Sequence, residues 1–294
     1  MTEILARRVG RWIARHAKPV PQALAAVAGR RPATVITGGS RGIGLALTRR
    51  FAAAGQDVVM IARSQDVLEA EALTMRGIVG SRVLTLALDI TRDDAADALE
   101  SFLESQGGYL DVLVNNAAIG LGGAFDSHAP AAIDQLIAIN IGALTRLTRH
   151  ALPAMKARGR GGILNIASLA GYVPGPQQAA YYASKAYVTS LTEAIAEECT
   201  GTGVRISVVA PGPVETGFHA AIGANHALYL KLMPTMSPEQ VARAAYSGFM
   251  LGRTVVRPGL VVPLAAAAVR VLPHALTVPI VRRLLEQRKP GSRR

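Results

Sequence analysis

Residues 33–44, ATVITGGSRGIG, decide the fold. The first five are apolar or β-branched, which predicts a buried strand over Ala33–Thr37. A helical pattern over Ile43–Ala54 comes next, with Gly38, Gly42 and Gly44 at the junction. Glycines there allow a tight turn and let backbone N–H groups at the start of a helix approach a phosphate closely. The segment therefore predicts a nucleotide-binding turn.

Apolar, β-branched runs alternate with helical patterns along the next 220 residues or so. Runs that are apolar throughout are typical of strands whose two faces are both covered, and strand–helix–strand order predicts parallel pairing. We therefore expect an α/β fold, a single doubly wound and mostly parallel sheet of the Rossmann type, with its ligand beyond the carboxyl ends of the strands. The predicted strands are Ala33–Thr37, Asp57–Arg63, Arg82–Ile90, Leu110–Ala117, Gly161–Ser168 and Val204–Pro211; the predicted helices are Ile43–Ala54, Ala95–Ser105, Ile133–Arg158, Tyr181–Glu198 and Pro238–Gly252.

The positive charge lies at the two ends of the chain. The 294 residues carry a net charge of +12, of which residues 1–32 hold +6 and residues 253–294 hold +8, so that the body is close to neutral. This distribution argues against a nucleic-acid-binding body. A single cysteine, Cys199, cannot form an internal disulfide, and we expect a reducing, cytoplasmic location and no metal site.

The two ends are predicted to be extensions of one central domain. The expected division is a basic extension over 1–32, the domain over 33–262 and a basic amphipathic extension over 263–294. No apolar run reaches the roughly 18–20 residues that span a bilayer. Arginine-rich amphipathic patterns at 3–15 and 280–289 are compatible with a lipid interface, with a flexible N-terminal tail, or with packing of the C-terminal pattern on the core or a partner subunit.

The predicted end of the second strand carries Arg63, where a carboxylate would bind the 2′-hydroxyl of NAD. Arg63 and Arg41 are suited to a 2′-phosphate, which favours NADP(H) over NAD; the alternative is that Arg63 is only a solvated strand end. Asp89 and Ile90 close the third strand and are expected beside the adenine. Asn116 and Ala117 close the fourth and are expected to line the cofactor crevice.

A reactive cluster is predicted at the same sheet edge. Tyr181 and Lys185 are four residues apart and share one helix face, Ser168 ends the fifth strand, and Asn140 lies in the long predicted helix. A tyrosine has a pKa near 10, and a neighbouring ammonium favours its phenolate, so that Tyr181 can exchange protons. Taken singly, these residues could be a surface pair on a helix, a strand-end cap and a satisfied polar residue.

Together, and in this order, these motifs resemble the short-chain dehydrogenase/reductase family over about residues 33–252. The resemblance extends to the run 211–216, PGPVET, and departs from the family at Ala118, where glycine is usual. It implies that Tyr181 is the acid/base, that Lys185 tunes it, that Ser168 orients the carbonyl and that Asn140 holds a relay water. It also implies cofactor contacts from the run 211–216 and a homodimer or homotetramer.

The predicted activity is NADP(H)-dependent transfer of a hydride to or from an apolar ketone, aldehyde or secondary alcohol of lipid, steroid or 3-oxoacyl type. The apolar segment Gly217–Met236, expected to be a substrate lid, supports an apolar substrate. The alternative is a non-catalytic NADP(H)-sensing protein that kept the fold. The candidate catalytic residues are Asn140, Ser168, Tyr181 and Lys185; the candidate cofactor residues are Gly38, Ser40, Arg41, Gly42, Ile43, Gly44, Arg63, Asp89, Ile90, Asn116, Ala117, Tyr181, Lys185, Pro211, Gly212, Val214 and Thr216.

Overall fold

The computed structural model describes residues 17–75, 77, 81–223, 227–259 and 261–286. The amphipathic pattern predicted at 3–15 and the end of the pattern at 280–289 lie outside these residues. No helix within them is long and apolar enough to cross a membrane.

Seven parallel strands form one sheet in the order β3-β2-β1-β4-β5-β6-β7, which confirms the predicted Rossmann-type fold. Five strands end one to three residues before the predicted position. The two-residue seventh strand was not predicted. The strands are β1 Arg31–Thr37, β2 Asp57–Ala62, β3 Val83–Ala87, β4 Gly108–Asn115, β5 Gly161–Ile166, β6 Val204–Val209 and β7 Val255–Val256.

Helices cover both faces of the sheet. The predicted helix Ile133–Arg158 is in fact two α-helices joined through a π-helical segment, Ala138–Ala143. Helix α3 was not predicted, because its apolar residues show little helical periodicity and only Leu68 is buried. The helices are α1 Pro21–Ala25, α2 Gly42–Ala52, α3 Gln65–Leu73, α4 Ala95–Ser105, α5 Pro130–Ile137, α6 Leu144–Arg158, α7 Ala179–Glu198, α8 Phe218–Ala221, α9 Tyr229–Leu232, α10 Pro238–Met250, α11 Val261–Val271 and α12 His274–Leu285; 3₁₀ turns lie at Phe125–Ser127 and Leu169–Tyr172.

The core consists of two apolar layers, one on each face of the sheet. Ile36 packs under α2 and α10, whereas its neighbour Val35 packs under α4 and α6. Leu164 and Ile163 divide between the two layers in the same way. Successive side chains of a strand point to opposite faces, so a strand that serves two cores must be apolar throughout. This explains why the sequence shows continuous apolar runs.

A buried carboxylate joins strands β1 and β2 to the β3 entry at the amino end of the sheet. Asp57 accepts hydrogen bonds from Nε of Arg31 at 2.6 Å and from Nε of Arg82 at 2.8 Å, and its own side chain is only 2% exposed. The backbone N–H of Arg82 donates to Asp57 at 3.0 Å. Burial alone would raise the pKa of Asp57, but these donors outweigh it and hold the pKa below its usual value.

Asp57→Asn is expected to lower the free energy of unfolding by about 2 kcal/mol at neutral pH, because it replaces charge-assisted hydrogen bonds by neutral ones. The folded-state pKa of Asp57 lies below its unfolded value, so the carboxylate stabilises the fold above about pH 4 and stops doing so as the pH falls through the folded-state pKa. The difference between wild type and variant should therefore shrink below about pH 4 in urea unfolding.

The matched control is Asp134→Asn, which neutralises an exposed carboxylate on α5. It should change the free energy of unfolding by less than about 0.5 kcal/mol at either pH. Equal stability of Asp57→Asn and wild type at neutral pH would contradict the prediction.

Candidate active site

A cleft of about 1030 Å³ lies at the carboxyl ends of the strands. Most of the predicted site residues line it. Two do not: Gly44 and Asn140 lie behind its wall. The predicted residues in the lining are Gly38, Ser40, Arg41, Gly42, Ile43, Arg63, Asp89, Ile90, Asn116, Ala117, Ser168, Tyr181, Lys185, Pro211, Gly212, Val214 and Thr216.

The turn from β1 into α2 requires glycine for specific reasons. Gly38 and Gly42 have φ angles of +65° and +53°, a left-handed conformation that side chains disfavour. A Cβ atom on Gly44 would come within 2.1 Å of the Gly38 carbonyl oxygen. Gly44 therefore lets the first turn of α2 close onto the loop, although it does not face the cleft.

The ends of β1 and β4 are joined by side chains as well as by the sheet. Thr37 Oγ1 accepts hydrogen bonds from the backbone N–H groups of Asn116 at 3.0 Å and Ala117 at 3.1 Å. Asn116 Nδ2 donates to the carbonyl oxygens of Thr37 at 3.0 Å and Gly38 at 3.1 Å. These bonds fix the glycine turn against the end of β4, at the point where the strand order reverses.

Two exposed arginines, Arg41 and Arg63, lie at one end of the cleft. No hydrogen bond or ion pair joins either guanidinium to another residue in the described part of the chain. Asp89 accepts bonds from the Thr91 hydroxyl at 2.7 Å and the Thr91 amide at 2.9 Å, and these, together with the charge of Arg63, lower its pKa. Asp89 is thus held by Thr91, which leaves both guanidinium groups able to bind an anion.

Tyr181, Ser168 and Lys185 lie together at the other end of the cleft. The phenol of Tyr181 is hydrogen-bonded to the side chain of Ser168. Lys185 Nζ lies 5.8 Å from the centre of the Tyr181 ring and donates to the Ile166 carbonyl oxygen at 2.8 Å. Ser168 is held in turn, because its Oγ accepts from the Ala170 amide at 3.2 Å. Helix α7 and the end of β5 thus bring the three side chains together as their spacing predicts.

The pKa of Tyr181 moves in the direction opposite to the expected one. Burial raises it to about 12, and the hydrogen bond from Ser168 lowers it only in part. Burial also lowers the pKa of Lys185 to about 8. The phenol is therefore protonated at neutral pH and can act as a proton donor.

Asn140 supports the site from behind. It lies in the π-helical segment and is only 2% exposed. Its Oδ1 accepts from the Ile119 amide at 2.9 Å, and its Nδ2 donates to the Ile119 carbonyl oxygen at 2.8 Å and to Ser184 Oγ at 3.0 Å. Ser184 Oγ donates to the Tyr181 carbonyl oxygen at 2.7 Å. The amide thus ties the wall segment after β4 to the helix that carries Tyr181.

Aromatic side chains of the segment Gly217–Met236 lie on the Tyr181 side of the cleft. The ring of Phe218 lies 5.1 Å from that of Tyr181. The hydroxyl of Tyr229 is 2.8 Å from His219 Nδ1. Burial lowers the pKa of His219, and a hydrogen bond to the Val214 backbone opposes this shift only in part. The neutral imidazole joins α9 to the loop after β6. The sequence gave no sign of this pairing.

The C-terminal helices form a further wall that the sequence did not predict. Ala265 of α11 and Val281, Leu284 and Leu285 of α12 line the cleft. The only sequence signal was the helical spacing of apolar residues near 280–285, which fits packing on the core equally well.

The cleft fits a dinucleotide in size and in the donors it offers. Its volume lies at the upper end of ligand pockets. The glycine turn leads into the N-terminus of α2, where free N–H groups favour phosphate, and two unpaired guanidinium groups lie beside it. The residues from the glycine turn to Thr216 would hold such a cofactor.

The chain matches known proteins over most of its length. Residues 32–227 match the family model for short chain dehydrogenases. A ketoacyl reductase of a Nostoc species is 36% identical over 71% of this chain and 72% of its own length.

Two solved structures extend this match. A short-chain dehydrogenase from Sphingobium yanoikuyae in complex with NADPH has a TM-score of 0.72 at 32% identity, covering 81% of this chain and 91% of its own. A 3-ketoacyl-(acyl-carrier-protein) reductase from Brucella melitensis complexed with NADH has a TM-score of 0.69 at 26% identity, covering 77% and 96%. With the fold and the motifs in order, the chain belongs to the short-chain dehydrogenase family of oxidoreductases.

Proposed function

We propose that this chain is an NADP(H)-dependent oxidoreductase that transfers a hydride between nicotinamide and an apolar ketone, aldehyde or secondary alcohol, with Tyr181 as the acid/base. The observation that carries the proposal is the phenol of Tyr181, bonded to Ser168 and beside Lys185. It lies in the same cleft as the glycine turn. The names of the similar reductases and the NADPH complex support the same activity.

The bound cofactor supplies the hydride, and the chain supplies the proton and the orientation of the carbonyl. The Ser168 hydroxyl holds the carbonyl oxygen. The Tyr181 phenol, whose pKa burial raises to about 12, carries its proton at neutral pH and gives it to that oxygen during reduction. The Lys185 ammonium stabilises the phenolate that remains, through its positive charge. In oxidation the phenolate takes the proton back.

We expect an apolar substrate, because Phe218 lies against Tyr181 and further apolar side chains line the cleft. Phe218 and Met233 come from the lid segment and Leu284 from α12, and all three line the cleft. The cluster of cations lies at the opposite, cofactor end, at Arg41 and Arg63. A phosphorylated or polycarboxylate substrate would find no such cluster near Tyr181 among the described residues.

Four further features remain proposals. They are the division of the chain at 1–32, 33–262 and 263–294, a homodimer or homotetramer as the assembly, a cytoplasmic location, and the roles of the individual site residues. The separation of the basic ends from the family match at 32–227 supports the division.

Tyr181→Phe is expected to lower turnover of a carbonyl substrate on the order of a thousandfold, because it removes the proton donor and keeps the ring. NADPH affinity, followed by fluorescence, should stay close to that of wild type. The matched control is the neighbouring Tyr182→Phe, which should retain turnover because its hydroxyl is not the one bonded to Ser168. Normal turnover of Tyr181→Phe would refute the acid/base role.

NADPH binding by wild type with no turnover on a broad carbonyl panel would favour the non-catalytic sensor.

Arg63→Ala is expected to weaken NADPH binding on the order of tenfold and to leave NADH binding nearly unchanged, because a 2′-phosphate would lose one charge-assisted contact. Arg41→Ala should act in the same direction. Titration of each variant with both cofactors measures the effect. Arg243→Ala, which removes an exposed guanidinium outside the cleft, is the control. A clear preference of the wild type for NADH would overturn the assignment of NADP(H).

Tyr229→Phe is expected to raise KM for an apolar ketone several-fold, because the hydrogen bond of about 1 kcal/mol to His219 holds the lid segment in place. NADPH affinity should not change. Steady-state kinetics measure both values. Tyr187→Phe, which removes a hydroxyl bonded to Thr145 on the outer surface of α7, is the control. An unchanged KM would show that the contact does not position the substrate wall.

A further inference from the structure

Helices α11 and α12 have a buried face and an apolar face that is exposed. Val262 and Ala266 of α11 and Thr277, Val281 and Leu285 of α12 are buried. Leu264 and Val271 of α11 and Leu276 and Ile280 of α12 are instead 72%, 84%, 57% and 55% exposed. Six of the fourteen large apolar side chains exposed in the described residues lie within 261–286, which makes this the main apolar patch of that part of the chain. We call the outer side of the two helices the apolar outer face.

The same helix pair is part of the cleft. Ala265, Val281 and Leu284 line the cleft from the inner side. Val262 lies against the loop after β6, since a Cβ atom on Gly212 of that loop would come within 3.0 Å of the Val262 side chain. A single layer of helix therefore separates the cleft from the apolar outer face.

The segment that forms this face is rich in arginine, and the one carboxylate in its described residues 261–286 is Glu286, which lies 3.9 Å from Arg282 at the end of α12. The chain has no carboxylate between Glu239 and Glu286, whereas this interval contains six arginines. Arg282 and Arg283 are exposed in the last turn of α12, next to Ile280. An apolar face with arginines at its border matches a bilayer whose surface is anionic, where each cation adds favourable attraction. A second copy of the chain would bring its own arginines into the same interface, and their repulsion opposes that pairing.

We propose that the apolar outer face of α11 and α12 docks on an anionic lipid surface, so that one wall of the cleft lies at the bilayer. Leu264, Val271, Leu276 and Ile280 enter the boundary between headgroups and acyl chains, and the arginines bind lipid phosphates. Resting on the proposed function, the inference adds that the carbonyl substrate is dissolved in the lipid.

The first test measures co-sedimentation of the full-length protein with vesicles. Binding to mixed phosphatidylcholine and phosphatidylglycerol should exceed binding to phosphatidylcholine alone and should fall as salt is added. The double variant Leu264→Asp/Ile280→Asp should bind the anionic vesicles at least about tenfold more weakly, because it places charges on the apolar outer face. Leu73→Asp, which adds a charge at an exposed leucine at the end of α3, is the matched control and should bind like wild type.

Three outcomes overturn the proposal. In the first, wild type stays in the supernatant with every vesicle; in the second, the double variant sediments like wild type. Alternatively, wild type fails to sediment and light scattering gives a larger assembly for wild type than for the double variant, which would assign the face to a second copy of the chain.

The second test separates docking from catalysis. The double variant should reduce a water-soluble ketone at the wild-type rate, since neither side chain lines the cleft. With a long-chain ketone presented in anionic vesicles, its rate should fall on the order of tenfold, in parallel with its binding. Tyr181→Phe should sediment like wild type although its turnover is lost. Failure of the proposed activity would thus leave the sedimentation result intact, and failure of docking would leave the water-soluble activity intact.

Discussion

The site depends on the hydrogen bonds that Thr37 and Asn116 make between β1 and β4. These strands are the two between which the chain reverses its direction of winding, so the helices that follow them diverge and leave a crevice. Thr37 Oγ1 holds two backbone N–H groups from the end of β4, and the Asn116 amide holds two carbonyl oxygens of the glycine turn. Without these contacts the turn and the end of β4 could separate, and the phosphate end of the cleft would lose its shape.

Much of the fold could be predicted because its determinants are local. The glycine turn and the continuous apolar runs depend on conformational freedom and on burial of both strand faces, and both leave a clear mark in the sequence. The π-helical segment around Asn140 could not be predicted, since its side chains have the same composition as an α-helix. Helix α3 was also missed, because an exposed helix that buries only Leu68 has almost no apolar period.

The sequence predicts which residues form the site better than it predicts their pKa values and their positions. The spacing of Tyr181 and Lys185 and their order after Ser168 follow from the chain alone. The direction in which the pKa of Tyr181 shifts does not follow from the chain alone, because the burial of Tyr181 depends on Phe218 and other residues from distant segments. The position of Asn140 behind the wall and the contribution of α12 to the cleft depend in the same way on tertiary packing.

The π-helical segment shows how this chain could change its length by a small step. A π turn takes up one residue more than an α-helical turn, so the α-helices on its two sides keep the same rotation about the helix axis. Deleting a single residue within Ala138–Ala143 would therefore restore a regular α-helix and leave Leu147, Ala151 and Met155 buried against the sheet. The core could thus survive such a deletion during the divergence of related chains, whereas Asn140, which lies in this turn and bonds to Ile119, would be displaced.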